Sequence, residues 1–275
     1  MDFASVTGGF VERERLSFLH KFVEHAAPMI TRSQITALVL EVDNNLFMTQ
    51  CGFFKRKLDF VADTWEGQPI YGKTAEQDAY TPVIDLWFHQ CVWDERTSLG
   101  DFFASIPSPL LATIDTADVD PDGLSTSDLE LIFARLQHLH TLHLRAPDHG
   151  SLLALTPHTN HQHTTLLETG IVPSLRHLRL VNLHLCAIPD NRKGRPVCMH
   201  EVVEMVALRA GTGLPLQSLH IDGVHWEGTD QAAVDAFFVR LQEIVPDVKV
   251  IIYTRTPQQL VLSVPGNNIT IACGT

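Results

Sequence analysis

Hydrophobic residues in this chain fall into short clusters separated by polar, turn-forming stretches, and one spacing recurs among them. Leu139, Leu142 and Leu144 (LHTLHL) share their intervals with Leu175, Leu178 and Leu180 (LRHLRL), with Leu216, Leu219 and Ile221 (LQSLHI), and with Ile35, Leu38 and Leu40 (ITALVL). Wound on a helix at about 100° per residue, Leu175, Leu178, Leu180, Leu183 and Leu185 scatter around the whole circumference. On a strand, Leu178 and Leu180 share one face. These segments therefore read as strands, the one at Leu175 extending through Leu183 and Leu185. In this composition chance supplies roughly one or two such matches, and four are present.

Between the strands the apolar period changes to that of helices. Residues 12–27, 51–65, 82–93 and 99–106 are expected to be helical, the third because Pro82 suits a first helical turn. Ser127 followed by Glu130 is a capping-box signature for a helix to about Gln137. Residues 197–210 form an amphipathic helix with Val203, Val206 and Ala207 inside and Gly211 at its C-terminal cap. Thr229 caps a helix over 230–244 whose buried stripe is Ala233, Phe237, Phe238 and Leu241. Residues 66–81 and 148–165 read as loops, the second broken by a short turn around Leu152 to Leu155. Leu111, Ile114 and Val119 are read as a degenerate strand with Thr116 where a leucine is wanted. Residues 248–253 form a last parallel strand, and 260–264 with 269–273 a terminal hairpin.

The spacing Leu-x-x-Leu-x-Leu is the strand signature of a leucine-rich repeat. Starts at Leu139, Leu175 and Leu216 lie 36 and 41 residues apart, so the repeats are long and helix-containing. The expected fold class is α/β: an irregular leucine-rich-repeat solenoid with parallel strands on the concave face and helices on the convex face. A helical section over 1–34 precedes the repeat domain at 35–256, and 257–275 forms the capping hairpin.

Three segments carry a resemblance to a known family: LELIFARLQHLHTLHL (129–144), VPSLRHLRLVNLHL (172–185) and VVEMVALRAGTGLPLQSLHIDGV (202–224). They resemble the leucine-rich-repeat region of fungal, especially basidiomycete, F-box-like proteins, in which a helix ends in Ala-Leu-Arg, a Gly-containing turn follows, and a Leu-x-x-Leu strand begins. The resemblance covers 110–253 and, more loosely, 18–42. It implies a substrate-recognition domain of a ubiquitin-ligase adaptor. The family's F-box opens with Leu-Pro and a nearby acidic residue, which the charged start at 11–15 does not match. A Skp-type adaptor and a cullin are therefore expected as partners only if an F-box equivalent exists.

Composition narrows the function classes. With 275 residues, 45% hydrophobic and 19% charged, the chain supports a well-formed core. It has no run of eighteen apolar residues and no basic-then-apolar leader, so an intracellular location, cytoplasmic or nuclear, is expected and a membrane partner is not. The net charge of −12 argues against nucleic acid. Up to Glu130 there are 21 acidic and 9 basic residues, beyond it 11 and 11, and twelve of the fifteen histidines lie in that second part. Five scattered cysteines without a C-x-x-C read as reduced, mostly buried thiols.

If the leucines line the core, the alternate positions form the concave face: Thr141, His143 and Arg145; His177, Arg179 and Val181; Ser218, His220 and Asp222. Parallel stacking makes His143, Arg179 and His220 neighbours, a basic, histidine-rich strip suited to a protein substrate bearing acidic or phosphorylated groups. A solvated face without a partner is the plainer reading of the same residues. His138, His140 and His143, or His158, His161 and His163, are dense enough for zinc but lack the usual spacing. Asp118, Asp120, Asp122 and Gly123 match the opening of a calcium loop, yet Leu129 stands where the closing glutamate belongs. No metal or other cofactor is expected. The nucleophile elbow, the P-loop and the dinucleotide fingerprint are all missing, and no enzyme is expected; a small enzyme on another α/β fold is the lesser alternative.

Overall fold

The computed structural model describes residues 35–43, 48–54, 84–89, 99–106, 108–157, 172–186, 197–222, 224–227, 231–253 and 269–272. The helix expected at 12–27, the loop at 66–81 and the strand at 260–264 lie outside them.

A nine-stranded sheet organises these residues. Along the chain its strands are β1 (Ala37–Asp43), β2 (Met48–Phe54), β3 (Ile84–His89), β4 (Thr116–Val119), β5 (Thr141–Arg145), β6 (His177–Val181), β9 (Ser218–Asp222), β11 (Asp247–Tyr253) and β12 (Ile269–Ala272). Their order in space is β12-β11-β9-β6-β5-β4-β1-β2-β3. Pairing is parallel from β12 to β1, whereas β1 with β2 and β2 with β3 are antiparallel. Three short strands, β7 (His184–Cys186), β8 (Val197–Cys198) and β10 (His225–Glu227), make a second parallel sheet in the order β10-β7-β8.

The Leu-x-x-Leu-x-Leu frame accounts for the parallel strands, and it recurs more often than the leucines alone suggest. Ile35/Leu38/Leu40, Ile114/Ala117/Val119, Leu139/Leu142/Leu144, Leu175/Leu178/Leu180, Leu216/Leu219/Ile221 and Val245/Val248/Val250 occupy equivalent places, and every one of these side chains is buried. The degenerate strand is thus framed on Ile114, Ala117 and Val119, with Thr116 in an alternate position rather than a leucine position.

Backbone hydrogen bonds repeat in step with the side chains. The carbonyl of Thr36 accepts from Asp115 and Thr116 N–H (3.0 and 3.2 Å), that of Asp115 from His140 and Thr141 (2.8 and 3.0 Å), that of His140 from Arg176 and His177 (both 2.9 Å), and that of Arg176 from Gln217 and Ser218 (2.7 and 3.1 Å). Past the strands, Ala146 (φ 43°) and Asn182 (φ 54°) turn the chain through the left-handed region. Asn182 splits the long strand expected at Leu175 into β6 and β7.

The helices are α1 (Leu99–Ser105), α2 (Ser108–Leu111), α3 (Thr126–Arg135), α4 (His149–Leu155), α5 (Met199–Gly211) and α6 (Gln231–Ile244). Strands β4, β5, β6, β9 and β11 lie in chain order, so right-handed crossovers place α3 to α6 on one face. Accordingly α1 packs on α3, and each helix from α3 to α6 on the next. Leu129, Ile132 and Phe133 of α3, Leu152, Ala154 and Leu155 of α4, Val202, Met205 and Val206 of α5 and Val234, Phe237, Phe238 and Leu241 of α6 form the other half of the core.

Local sequence chemistry explains the helix ends. The capping box of α3 is Ser125 with Asp128, two residues before the expected Ser127 and Glu130: Asp128 N–H donates to Ser125 Oγ (3.1 Å), and Ser125 N–H to Asp128 Oδ2 (3.3 Å). The other oxygen of Asp128 accepts from Gly100 N–H (3.1 Å), and a Cβ on Gly100 would stand 2.9 Å from that oxygen, so glycine lets α1 approach α3. In the expected loop after Asp148, Asp148 and Ser151 form a second box that starts α4.

Helix α5 ends in a Schellman motif, with Leu214 N–H donating to the Arg209 carbonyl (2.8 Å) and Gly213 N–H to that of Ala210 (3.1 Å). Gly213, at φ 79°, takes the left-handed place expected of Gly211. An alanine at 213 would force a Cβ into that region. Gly213→Ala is expected to lower stability by about 1–2 kcal/mol, read as a lower urea midpoint at unchanged slope.

Three further expectations are corrected. Residues 51–54 and 84–89 are strand, not helix. Cys51, Phe53 and Phe54 are buried in a strand flanked by β1 and β3, and a strand buried on both faces has consecutive apolar residues like a buried helix. In β3 the alternation Ile84, Leu86, Phe88 has the strand period, which outweighs the Pro82 signal. On α5, Val202, Met205 and Arg209 are buried with Val206, while Val203 is half-buried and Ala207 exposed. The last strand, β12, adds parallel to β11, and its expected hairpin partner at 260–264 lies outside the described residues. Among the described residues no helix is long and apolar enough to cross a membrane.

Candidate protein-interaction face

The face of the sheet opposite the helices carries the alternate positions, and the strand register sorts them into rows. One row runs Thr116, Thr141, His177, Ser218, Asp247; the next Asp118, His143, Arg179, His220, Lys249; the third includes Arg145, Val181 and Asp222. His143, Arg179 and His220 are therefore the neighbours that the sequence pattern requires.

Exposure changes along the rows. Val39, Asp118 and His143 are buried, the last at 3% exposure, Arg179 is half-buried, the His220 side chain is 38% exposed and Lys249 is exposed. The accessible part of this face thus lies on β6, β9 and β11. His177 is exposed, with Nδ1 2.9 Å from Ser218 Oγ. His220 Nε2 lies 3.8 Å from Asp247 Oδ2. Thr141 is half-buried, and Arg145 and Asp222 sit deeper.

The strip is not the basic one expected. Arg179 is paired with Asp222 by an Nη2 hydrogen bond to Oδ2. Arg145 donates from Nε to Asp118 Oδ1 (2.7 Å), and its Nη1 stands 3.4 Å from Glu41 Oε1. Burial, reinforced by the charges of Arg179 and Arg145 and by His220, holds the His143 imidazole well below its usual pKa. Burial and Lys249 lower His220, partly opposed by Asp247. Both rings are neutral at pH 7, so the exposed face is a balanced mosaic of Arg179 with Asp222 and of Lys249 near Asp247.

Asp118 illustrates the cost of the buried end. Desolvation pushes its pKa up to about 6, although Arg145 pulls it down, and Oδ2 has no hydrogen-bond partner among the described residues. Burial likewise raises Asp120. These acids do not converge as a calcium loop would require: Asp118 is tied to Arg145, and Asp120 Oδ1 accepts Asp122 N–H (3.1 Å) in a turn completed by Gly123 at φ 73°. His138 and His140 are exposed while His143 is buried. Among the described residues no group of three His, Cys, Asp or Glu side chains is placed to hold a metal ion. His158, His161 and His163 lie outside them.

Glu41, Asp118, Asp247 and Lys249 join this face without having been picked out for it in the sequence. Lys249 was legible, because it alternates with Val248 and Val250 as His220 alternates with Leu219 and Ile221. No protein-family model matches this chain, and neither a curated protein nor a solved structure matches it.

Proposed function

We propose that this chain is a protein-recognition module, an irregular leucine-rich-repeat solenoid that takes its partner on the polar face of β6, β9 and β11. The observation that carries this reading is the recurrence of one buried triplet through six successive units, which presents a row of polar side chains at fixed strand spacing on the face away from the helices. His177, Arg179, Ser218, His220, Asp247 and Lys249 are the residues assigned to contact. Their mixed charge favours a partner with both acidic and basic groups over one that is uniformly acidic or phosphorylated.

The segments resembling fungal F-box-like proteins make a substrate adaptor of an intracellular ubiquitin ligase the specific form of this proposal. A repeat scaffold outside the ubiquitin system is the second form. Both assign binding rather than catalysis.

The test is affinity purification with the wild-type chain beside His177→Ala/His220→Ala/Lys249→Ala, a variant confined to solvent-accessible side chains that should keep its far-UV circular dichroism. A partner protein retained by the wild type and lost from the variant, and then rebound by the wild type after purification, is the expected result. Skp-type and cullin subunits retained by both would support the adaptor form. Equal retention of every partner by the two proteins would remove this face from the proposal.

A further inference from the structure

We propose that the recognition face docks an acidic group of its protein partner between His220 and Lys249 and takes up a proton at His220 as it does so, which makes capture stronger in mild acid than at neutral pH. The inference rests on the recognition reading above and names the chemistry and the regulation of that face. His220 is the middle member of the row Arg179, His220, Lys249, register partners on β6, β9 and β11. Neighbouring strands lie about 4.8 Å apart, so a cation flanks the imidazole on each side. Arg179 is engaged with Asp222, whereas Lys249 is exposed and the His220 side chain is 38% exposed. The open end of the row is therefore His220 with Lys249, where one partner carboxylate comes within reach of both side chains.

Register sets the groups that face His220. From β6 come His177 and Arg179, from β11 Asp247 and Lys249, and from its own strand Ser218 and Asp222, with His143 one strand further along the row. Asp247 Oδ2 stands 3.8 Å from Nε2 with its side chain 43% exposed, so water screens that attraction. With His220 neutral, the two cations and two acids of these strands balance, and a proton on His220 leaves one positive charge over. Neither His143, which is buried, nor His177, which stands in the adjoining row with Nδ1 2.9 Å from Ser218 Oγ, lies beside Lys249.

Docking and protonation help one another. In the free chain burial and Lys249 hold the His220 imidazole below the ordinary 6.5, Asp247 opposes them and Arg179 adds a smaller push. A docked carboxylate brings a negative charge beside the ring and offsets Lys249, so the pKa is higher in the complex than in the free chain. The complex thus holds a proton that the free chain lacks. The affinity gained is full below the free-chain pKa, itself under 6.5, and is lost as pH rises through the higher value of the complex.

The test titrates the full chain with N-acetylated hexaglutamate, a probe that isolates the acidic group, by calorimetry at pH 7.5 and pH 5.5 and constant ionic strength. Circular dichroism checks that the fold is the same at both. Binding is expected to be about fivefold or more tighter at pH 5.5, and titrations in buffers of different ionisation enthalpy should show proton uptake. Every histidine of the chain gains charge in this interval, so the decisive comparison is between two variants. His220→Gln should flatten the pH response and abolish the uptake, whereas His200→Gln, an exposed histidine on α5, should leave both unchanged. Equal affinity at the two pH values, a pH response kept by His220→Gln, or no binding of the peptide at either pH would overturn the proposal. The recognition reading fails separately, through the triple variant described above. A purified partner lost from that variant but bound equally at both pH values would keep the face and overturn the proton link alone.

Discussion

Arg145→Met is expected to cost about 3–5 kcal/mol of stability at pH 8, because it leaves the buried Asp118 carboxylate without its cation. Arg145 reaches Asp118 Oδ1 from Nε at 2.7 Å and stands near Glu41, while Asp118 is wholly inaccessible. A methionine retains much of the stem's packing and removes the charge. The loss should depend on pH, with a sign that follows from Asp118. Its folded pKa, about 6, lies above the ordinary 3.8. The folded state therefore keeps a proton that the unfolded state has lost, and the associated stability is full below about 3.8 and disappears as pH rises through 6. Without Arg145 the folded pKa rises further and the disappearance extends into the neutral range. Urea unfolding should accordingly show a smaller deficit for Arg145→Met at pH 5 than at pH 8, and Asp118→Asn in the same chain should recover most of it. A deficit equal at both pH values and unrelieved by Asp118→Asn would mean that the guanidinium acts through packing alone.

This ion pair also shows where the sequence stops being informative. The frame of Leu139, Leu175 and Leu216 identifies the parallel strands and, through their alternation, the neighbours His143, Arg179 and His220, since a one-residue slip would turn the leucines out of the core. What covers or exposes a given position is not a local property. His143 and His220 have the same pattern environment, yet one is buried and the other partly open. Nor does the pattern reveal that Arg145 faces Asp118, because the two are 27 residues apart and meet through the β4–β5 register. The unit framed on Val245, Val248 and Val250 was read only as a last strand, since it contains no leucine, although valine fills the same buried positions. At β2 the consecutive apolar run is too short for period alone to separate strand from helix.

Arg209 was legible only as a cation in the last turn of a helix, where charge normally favours the dipole from solvent, and its actual setting yields the second large expected effect. The side chain is among the largest fully buried ones. Nη1 donates to the carbonyl of Leu155 (3.3 Å), the final residue of α4, and Nη2 to that of Val172 (3.0 Å). Leu155 is in the last turn of its helix, where carbonyls lack intrahelical donors. Val172 sits at φ 52°, a left-handed conformation unusual for a β-branched residue. Arg209 therefore satisfies acceptors on both sides of the 156–171 segment and holds the turn that leads into β6. Burial, with a smaller contribution from Arg176, lowers its pKa to about 10, so the guanidinium stays charged throughout the neutral range. Replacing it with methionine removes two charge-assisted hydrogen bonds and takes the guanidinium from the Leu155 carbonyl, while the Val172 carbonyl keeps Leu175 N–H (3.2 Å); the relief of a desolvated cation is a partial offset. Arg209→Met is expected to lose about 2–4 kcal/mol. Arg209→Lys should fall between, because a single ammonium on a shorter stem does not reproduce a fork that spans two carbonyls. The deficit should be the same at pH 6 and pH 8, unlike that of Arg145→Met. In hydrogen exchange, the amides of α4 and of the first residues of β6 should open before those of β4 and β5. A methionine variant within about 0.5 kcal/mol of the wild type would show that the Leu155 carbonyl finds another donor, and that Arg209 does not hold the turn.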